Sequence, residues 1–203
     1  FELGGHSLLA VQLVANLKKE FNIEFPLASL ITYPSIRKLA ELVNNRAVEH
    51  LWNVMVPIRT KGSLDPIFLI HGAGLNVLMF QSLARYLDPD RPIYALQARK
   101  IEPGQGQQFT IPGIAADYLQ EIKKIQPNGP YHLMGYSMGG FIVFEMTKQL
   151  EANQEKVAFA GLVDSAAAFA QASIRWPQRM VEAVLTPIAK LTFAIQAFLK
   201  EEP

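Results

Sequence analysis

Gly135-Tyr136-Ser137-Met138-Gly139, with Gly140 behind it, is a G-x-S-x-G sequence. A serine in that setting is a candidate nucleophile for acyl transfer. Small residues on either side let a strand and a helix close around a sharp bend. The bend holds the serine in a strained backbone conformation and projects its hydroxyl at the strand's C-terminal end. There the N–H groups of the following helix can stabilise an oxyanion. An ordinary glycine-rich turn capped by a serine has the same letters. The surroundings favour the nucleophile, since an apolar strand pattern precedes Ser137 and an amphipathic helix pattern follows it.

His71-Gly72-Ala73-Gly74 closes an earlier apolar run. A glycine-rich loop at that point can aim the Ala73 N–H at the oxyanion, with the Met138 N–H as the other donor. The same glycines also suit a plain tight turn with His71 in the core. Asp164, in "LVDS", comes 27 residues after Ser137 and directly behind another apolar run. A carboxylate at the tip of a strand beside the nucleophile strand is well placed to orient a histidine. It also suits a helix N-cap.

Serine needs a base to take its proton. The chain has four histidines. His132 lies five residues before Ser137 on one strand, about 16 Å away and on the opposite face. His71 belongs to the glycine loop, His50 to a polar stretch and His6 to the N-terminal segment. No histidine follows residue 132, whereas such hydrolases run in the order Ser, Asp, His. The base is therefore expected beyond Pro203. With Phe1 rather than Met at the start, the sequence reads as a piece of something longer.

The elements that must position these groups follow from periodicity. Ser7 sits where a helix should begin, with Leu9, Leu13, Leu17 and Phe21 repeating every four residues and Val14 beside them. Its hydroxyl can cap that helix, or can be offered for modification by a phosphate-bearing group, since helix N–H groups favour the anion. A second helix is expected from Ser35 to about Val43, with Ile36, Leu39, Ala40 and Val43 on one face. Two such helices enclose little core, so this segment is either incomplete or leans on something else. Residues 45–51 read as a linker. Strands are then expected over 52–59, 66–72, 91–98, 130–136 and 157–164. Helices are expected over 75–87, 111–126 and 138–152, and a loop over 99–110. The last four strands alternate with the three helices, which implies a parallel sheet covered on both faces. The tail from about Ser173 to Glu202 is helical in pattern, broken at Pro177 and Pro187.

Composition closes off other classes. Nineteen Lys and Arg against 18 Asp and Glu leave a net charge of +1 over 203 residues. That is no electrostatic footprint for nucleic acid or an anionic membrane. The chain has no cysteine, which removes disulfides, zinc–thiolate sites and a Cys nucleophile. No metal site is expected, no apolar run is long enough to span a bilayer, and a cytoplasmic location is expected.

"LGGHSLLA" with its following helix resembles the carrier-protein core of nonribosomal peptide synthetases and related polyketide synthases. "YPSIRKLAELV" is similar to that family's last carrier helix. The resemblance implies that Ser7 carries a covalent 4′-phosphopantetheine arm. "PIFLIHGAG", "GYSMGG" and "LVDS", in that order, resemble the terminal thioesterase domain of the same assembly lines. That implies a truncated α/β-hydrolase sheet with a helical lid segment over 52–203, preceded by a partial all-α carrier over 1–44. It also implies an acyl or peptidyl thioester as substrate, with condensation and adenylation modules and a phosphopantetheinyl transferase as partners. Rival readings are a carrier and binding fragment without turnover, and a free-standing esterase or lipase.

Overall fold

The structure is a computed structural model that describes residues 7–44, 53–74, 76–99 and 110–165. The linker expected at 45–51, most of the loop expected at 99–110 and the helical tail lie outside the described residues.

Three helices come first: α1 (Ser7–Phe21), α2 (Ser29–Thr32) and α3 (Ile36–Asn44). Then follow β1 (Met55–Arg59), β2 (Ile67–Ile70), α4 (Phe80–Leu83), β3 (Ile93–Leu96), α5 (Ile111–Ile125), β4 (Tyr131–Tyr136), α6 (Met138–Ala152) and β5 (Val157–Val163). The strands form one sheet in the order β1-β3-β2-β4-β5. β1 runs antiparallel to β3, and the other four are parallel. This is the α/β, mostly parallel sheet expected from the alternating pattern.

The central strands β2 and β3 are short and apolar because both their faces are covered, whereas most of the edge strand β5 is exposed. Phe68 and Ile70 point to one face, where α5 and α6 bring Tyr118, Ile122, Ile142, Val143 and Met146. Ile67 and Leu69 point to the other, against Phe80 and Ala84 of the α4 region. Thr110 starts α5 by accepting the Gly113 N–H on its hydroxyl at 3.2 Å, and Pro112 stands in the first turn.

β2 lies between β3 and β4, so the chain leaves β2 toward one side of the sheet and later returns on the other. The segment after β2 goes to the α4 face, and the segment after β4 goes to the α6 face. Adjacent parallel strands whose connections diverge in this way open a crevice at their C-terminal ends. Just past the C-terminal ends of these two strands stand His71–Gly74 and Ser137.

Three expectations need correction. The helix expected over 75–87 contracts to four residues, Phe80–Leu83. Before it, Asn76 accepts the Leu78 N–H at 3.2 Å and donates to the Gly74 carbonyl at 3.0 Å, a local turn that competes with helix. After it, the Arg59 guanidinium donates to the carbonyls of Ala84 (3.3 Å), Leu87 (3.5 Å) and Asp88, which a longer helix would have used itself. On α1 the expected stripe does not face a core: Leu9, Leu13 and Phe21 are exposed, and Ala10 is buried instead. On α3 the buried pair is Leu39 and Leu42, while Ile36 is 87% exposed. The helical segment does lean on something else. Ala10, Ala28 and Ile31 share one apolar cluster with Val56, Ile67 and Leu69 of the sheet. That cluster accounts for the buried Ala10 of α1 and Ile31 of α2.

Candidate active site

β4 delivers Ser137 to the crevice. Its apolar residues Tyr131 and Leu133 are fully buried, so the strand is anchored up to the bend. At the bend Ser137 takes φ 52° and ψ −118°, a left-handed conformation in a residue that is not glycine. Such a conformation costs on the order of 1–3 kcal/mol and persists only where neighbours impose it. The imposing contacts are visible. The Ser137 N–H donates to the Val163 carbonyl of β5 at 2.8 Å. The Ser137 carbonyl accepts from the Gly140 N–H at 3.0 Å and from the Ser165 hydroxyl at 2.8 Å.

The glycines make the bend possible by what they lack. A Cβ on Gly135 would sit 2.1 Å from the Gly139 carbonyl oxygen. One on Gly139 would sit 2.5 Å from the carbonyl oxygens of both Ile70 and His71. The start of α6 is thus pressed directly onto the end of β2. Ser137 precedes α6 but makes no side-chain capping bond to it, so its partly exposed hydroxyl is not spent as a cap.

Asp164 follows β5 directly, is exposed and also has a positive φ of 52°. The β4–β5 register pairs Tyr136 with Val163, so Ser137 and Asp164 stand one residue past paired positions at adjacent strand tips. Neighbouring strands run about 5 Å apart. Ala73 lies in the turn after His71-Gly72, and Met138 is the first residue of α6. Gly72 packs against the Tyr136 ring, which a Cβ would approach to 2.9 Å. The loop and the bend therefore touch.

His71 is 1% exposed. Its Nδ1 is 2.6 Å from the Gly72 carbonyl oxygen and its Nε2 is 2.6 Å from the Tyr118 hydroxyl. Burial lowers its pKa to about 4 against the opposing effect of the Gly72 hydrogen bond, so it is neutral at pH 7. His132 stands at the other end of β4, opposite Ile67. Its pKa is also lowered, by burial first and then by Arg91, with Asp65 opposing. Neither histidine is brought to Ser137. His6 and His50 lie outside the described residues, as does the Ser7 side chain; Ser7 itself is the first residue of α1. Among the described residues no three His, Asp or Glu cluster as a metal site would require, and no helix is long and apolar enough to cross a membrane.

Two neighbours of the site were not singled out from the sequence. Ser165 ties the Asp164 segment to the Ser137 carbonyl; its place beside Asp164 was the available signal. Tyr118 had no such signal, since its partner is 47 residues away.

Comparison with known proteins bears on both segments. Residues 65–201 match the thioesterase domain family and residues 1–43 match the phosphopantetheine attachment site family. A dimodular nonribosomal peptide synthase of Bacillus subtilis is 38% identical over 81% of this chain. An atromentin synthetase of Paxillus involutus is 37% identical, also over 81%. The chain spans 7% and 18% of the lengths of these two relatives. Among solved structures, a holo four-domain nonribosomal peptide synthetase bound to AMP and glycine superposes with a TM-score of 0.58 at 34% identity. That match covers 82% of this chain and 13% of the other. The NocB thioesterase domain superposes with a TM-score of 0.51 at 25% identity, covering 70% of this chain and 66% of that one. The attachment site holds 4′-phosphopantetheine covalently on a serine. The chain belongs to the thioesterase domain family, joined behind a phosphopantetheine attachment site as in the carrier–thioesterase segments of nonribosomal peptide and polyketide synthases.

Proposed function

We propose that this chain is the terminating segment of a nonribosomal peptide synthetase, in which an acyl or peptidyl group is passed to Ser137 and released. In this reading residues 1–44 are the carrier, 45–51 the linker and 52–203 part of the thioesterase, acting in the cytoplasm. Ser7 is the modified serine. Its place at the first turn of a 15-residue helix suits a phosphate, whose charge the free N–H groups favour. When bound, the arm supplies the thiol that holds the acyl group as a thioester. A phosphopantetheinyl transferase installs it, and condensation and adenylation modules supply the chain.

The Ser137 oxygen attacks the thioester carbonyl and its proton passes to an imidazole. The carbonyl oxygen gains negative charge, which the N–H groups of Ala73 and Met138 stabilise. Collapse breaks the C–S bond, and the proton returns from the imidazole to the departing sulfur. Water, or an amine or hydroxyl of the acyl chain itself, then attacks the Ser137 ester. Asp164 orients the imidazole. His71 and His132 are both held elsewhere, and the reading takes that imidazole from beyond Pro203. Residues 1–203 alone are then expected to turn over negligibly.

One observation carries the reading: Ser137 is forced to φ 52° at a glycine-walled bend while its hydroxyl is left uncommitted to the helix it precedes. The test is Ser137→Ala in the full-length synthetase that contains this chain. Product release is expected to fall by on the order of 10⁴–10⁶ with the melting temperature unchanged. Undiminished release would refute the assignment.

A further inference from the structure

His71 sits beside the crevice yet takes no part in the proton transfers proposed above. Its two nitrogens have distinct partners. A carbonyl oxygen can only accept, so at 2.6 Å from the Gly72 oxygen it is Nδ1 that carries the hydrogen and donates. Nε2 is left with its lone pair and accepts from the Tyr118 hydroxyl, also at 2.6 Å. Tyr118 comes from α5 and is 3% exposed. The two rings meet edge to face, with centroids 5.8 Å apart and planes at 74°. The chain of bonds thus runs from the Tyr118 O–H to the imidazole, and from the imidazole to the Gly72 carbonyl. No water can substitute easily, because both side chains are enclosed.

The carbonyl at the end of that chain is half of a larger unit. The Gly72 C=O and the Ala73 N–H belong to one planar peptide group. Among the described residues the cis bond is Gly129–Pro130, so the Gly72–Ala73 peptide is trans. In a trans peptide the C=O and N–H point in opposite directions. Holding the oxygen inward, against a buried imidazole, turns the N–H outward. Gly72 cannot shift sideways freely, since it packs against the ring of Tyr136, the residue before Ser137. The nitrogen whose direction is set in this way is the one assigned to the oxyanion.

We infer that Tyr118, acting through His71, is a positioning residue that aims the Ala73 N–H at the oxyanion. This rests on the reading of Ala73 and Ser137 given above. A neutral imidazole fits such a relay: the Gly72 carbonyl selects the tautomer with the hydrogen on Nδ1, and the Tyr118 O–H supports it by donating to Nε2. Without that hydroxyl, Nε2 is buried with no donor, which penalises this tautomer and loosens the hold on the ring's orientation. The effect falls on the transition state, where the carbonyl oxygen is most negative, and not on binding of the ground-state thioester.

The experiment compares Tyr118→Phe, Ser137→Ala and the unaltered full-length synthetase. It measures kcat and KM for release of a carrier-bound acyl group and inhibition by an alkyl boronic acid, which forms a tetrahedral anionic adduct on serine. For Tyr118→Phe we expect kcat to fall about tenfold, the scale of one hydrogen bond misdirected. KM should stay within about twofold, and boronate affinity should fall by the same factor as kcat. A purely structural role would lower the melting temperature and leave kcat of the folded protein and boronate affinity unchanged; that result overturns the inference. Should Tyr118→Phe fold poorly, His71→Gln is measured in its place, with kcat and boronate affinity expected to fall together and wild-type values refuting the relay; where Tyr118→Phe folds, a cycle with His71→Gln sharpens the test. Tyr118→Phe must have no further effect on boronate affinity once His71 is replaced, and an undiminished further effect refutes the relay. Loss of activity in Ser137→Ala with wild-type behaviour in Tyr118→Phe removes this inference alone. Retained activity in Ser137→Ala removes the reading beneath it.

Discussion

The two ends of β4 are built on opposite principles. At its lower end polar side chains tie the surrounding segments together, although Gln126 Oε1 and His132 Nδ1 are buried without a hydrogen-bond partner. The Tyr131 hydroxyl lies 2.9 Å from Glu155 and 3.2 Å from the Pro127 carbonyl, and Lys123 donates to the other Glu155 oxygen at 2.6 Å. Gln126 donates to the carbonyls of Asn128 and Pro130 at 3.1 and 3.0 Å. Burial, helped by Glu155, pushes the Tyr131 pKa up to about 12. At the upper end the groups that hold the chain are mostly backbone. A strained serine is kept in place by Val163, Gly140 and Ser165, and three glycines leave no room for anything larger. The apolar middle of the strand serves both ends alike. The lower end uses polar side chains for stability; the upper end uses strain and close approach to leave two side chains, Ser137 and Asp164, partly or wholly exposed. Reacting groups at the C-terminal ends of parallel strands have just this requirement.

Substitutions at the two ends should therefore separate activity from stability. The largest effect, after loss of Ser137 itself, belongs to Asp164→Asn. Release by the full-length synthetase should fall by on the order of 10³–10⁴, with little change in melting, because the amide cannot hold the incoming imidazole in its productive tautomer. Steady-state release kinetics check this, and a loss below tenfold would move Asp164 out of the proposed triad.

Acidification should act most through the buried His71; His132 at the lower end also has a lowered pKa but is less buried and contributes less. His71 has a folded pKa of about 4 against 6.5 when free, so below pH 6.5 the unfolded chain takes up a proton that the folded chain refuses. Stability is then full above pH 6.5 and is lost as pH falls from there toward 4, by about 3 kcal/mol. Glu155 at the lower end has its pKa lowered, chiefly by Lys123, from an ordinary 4.5. Its contribution is present above pH 4.5 and is lost only below it. Melting curves from pH 7 to pH 4.5 should show the His71 loss, and a His71→Gln variant should be flatter over that range. Parallel curves for the two proteins would contradict the assignment. The smallest effect is that of Tyr131→Phe, which removes one hydroxyl from the lower end. It should lower stability by about 1 kcal/mol and leave release rates unaltered. A rate change as large as that of Asp164→Asn would break the division between the ends.

What could be read beforehand was what is local. The bounds expected for the helix at 138–152 coincide with α6, because the bend residues, the glycines and the amphipathic run are consecutive. The apolar strands at 131–136 and 157–163 were legible for the same reason. The short α4 was not, since a guanidinium from Arg59, on another strand, takes the carbonyls that a longer helix would need. Nor was the inner face of α1, where Ala10 joins an apolar cluster with Ile67 and Leu69, more than fifty residues on. The position of Ser137 and Asp164 at neighbouring strand tips followed from strand order. The commitment of His71 to Tyr118 did not, because a bond across 47 residues leaves no periodic trace. Ser165 was hidden differently: its hydroxyl bonds a backbone oxygen 28 residues earlier, a contact that leaves no pattern in the sequence.

The central claim is that the acyl group becomes bonded to one particular oxygen. Mass spectrometry of the full-length synthetase, quenched in acid during turnover and digested, tests it most directly. The peptide containing Ser137 should gain the mass of the acyl group, and the gain should vanish in Ser137→Ala. Turnover with no acylated form of that peptide at any quench time, or with the acyl group found on another residue of the domain, would contradict the account.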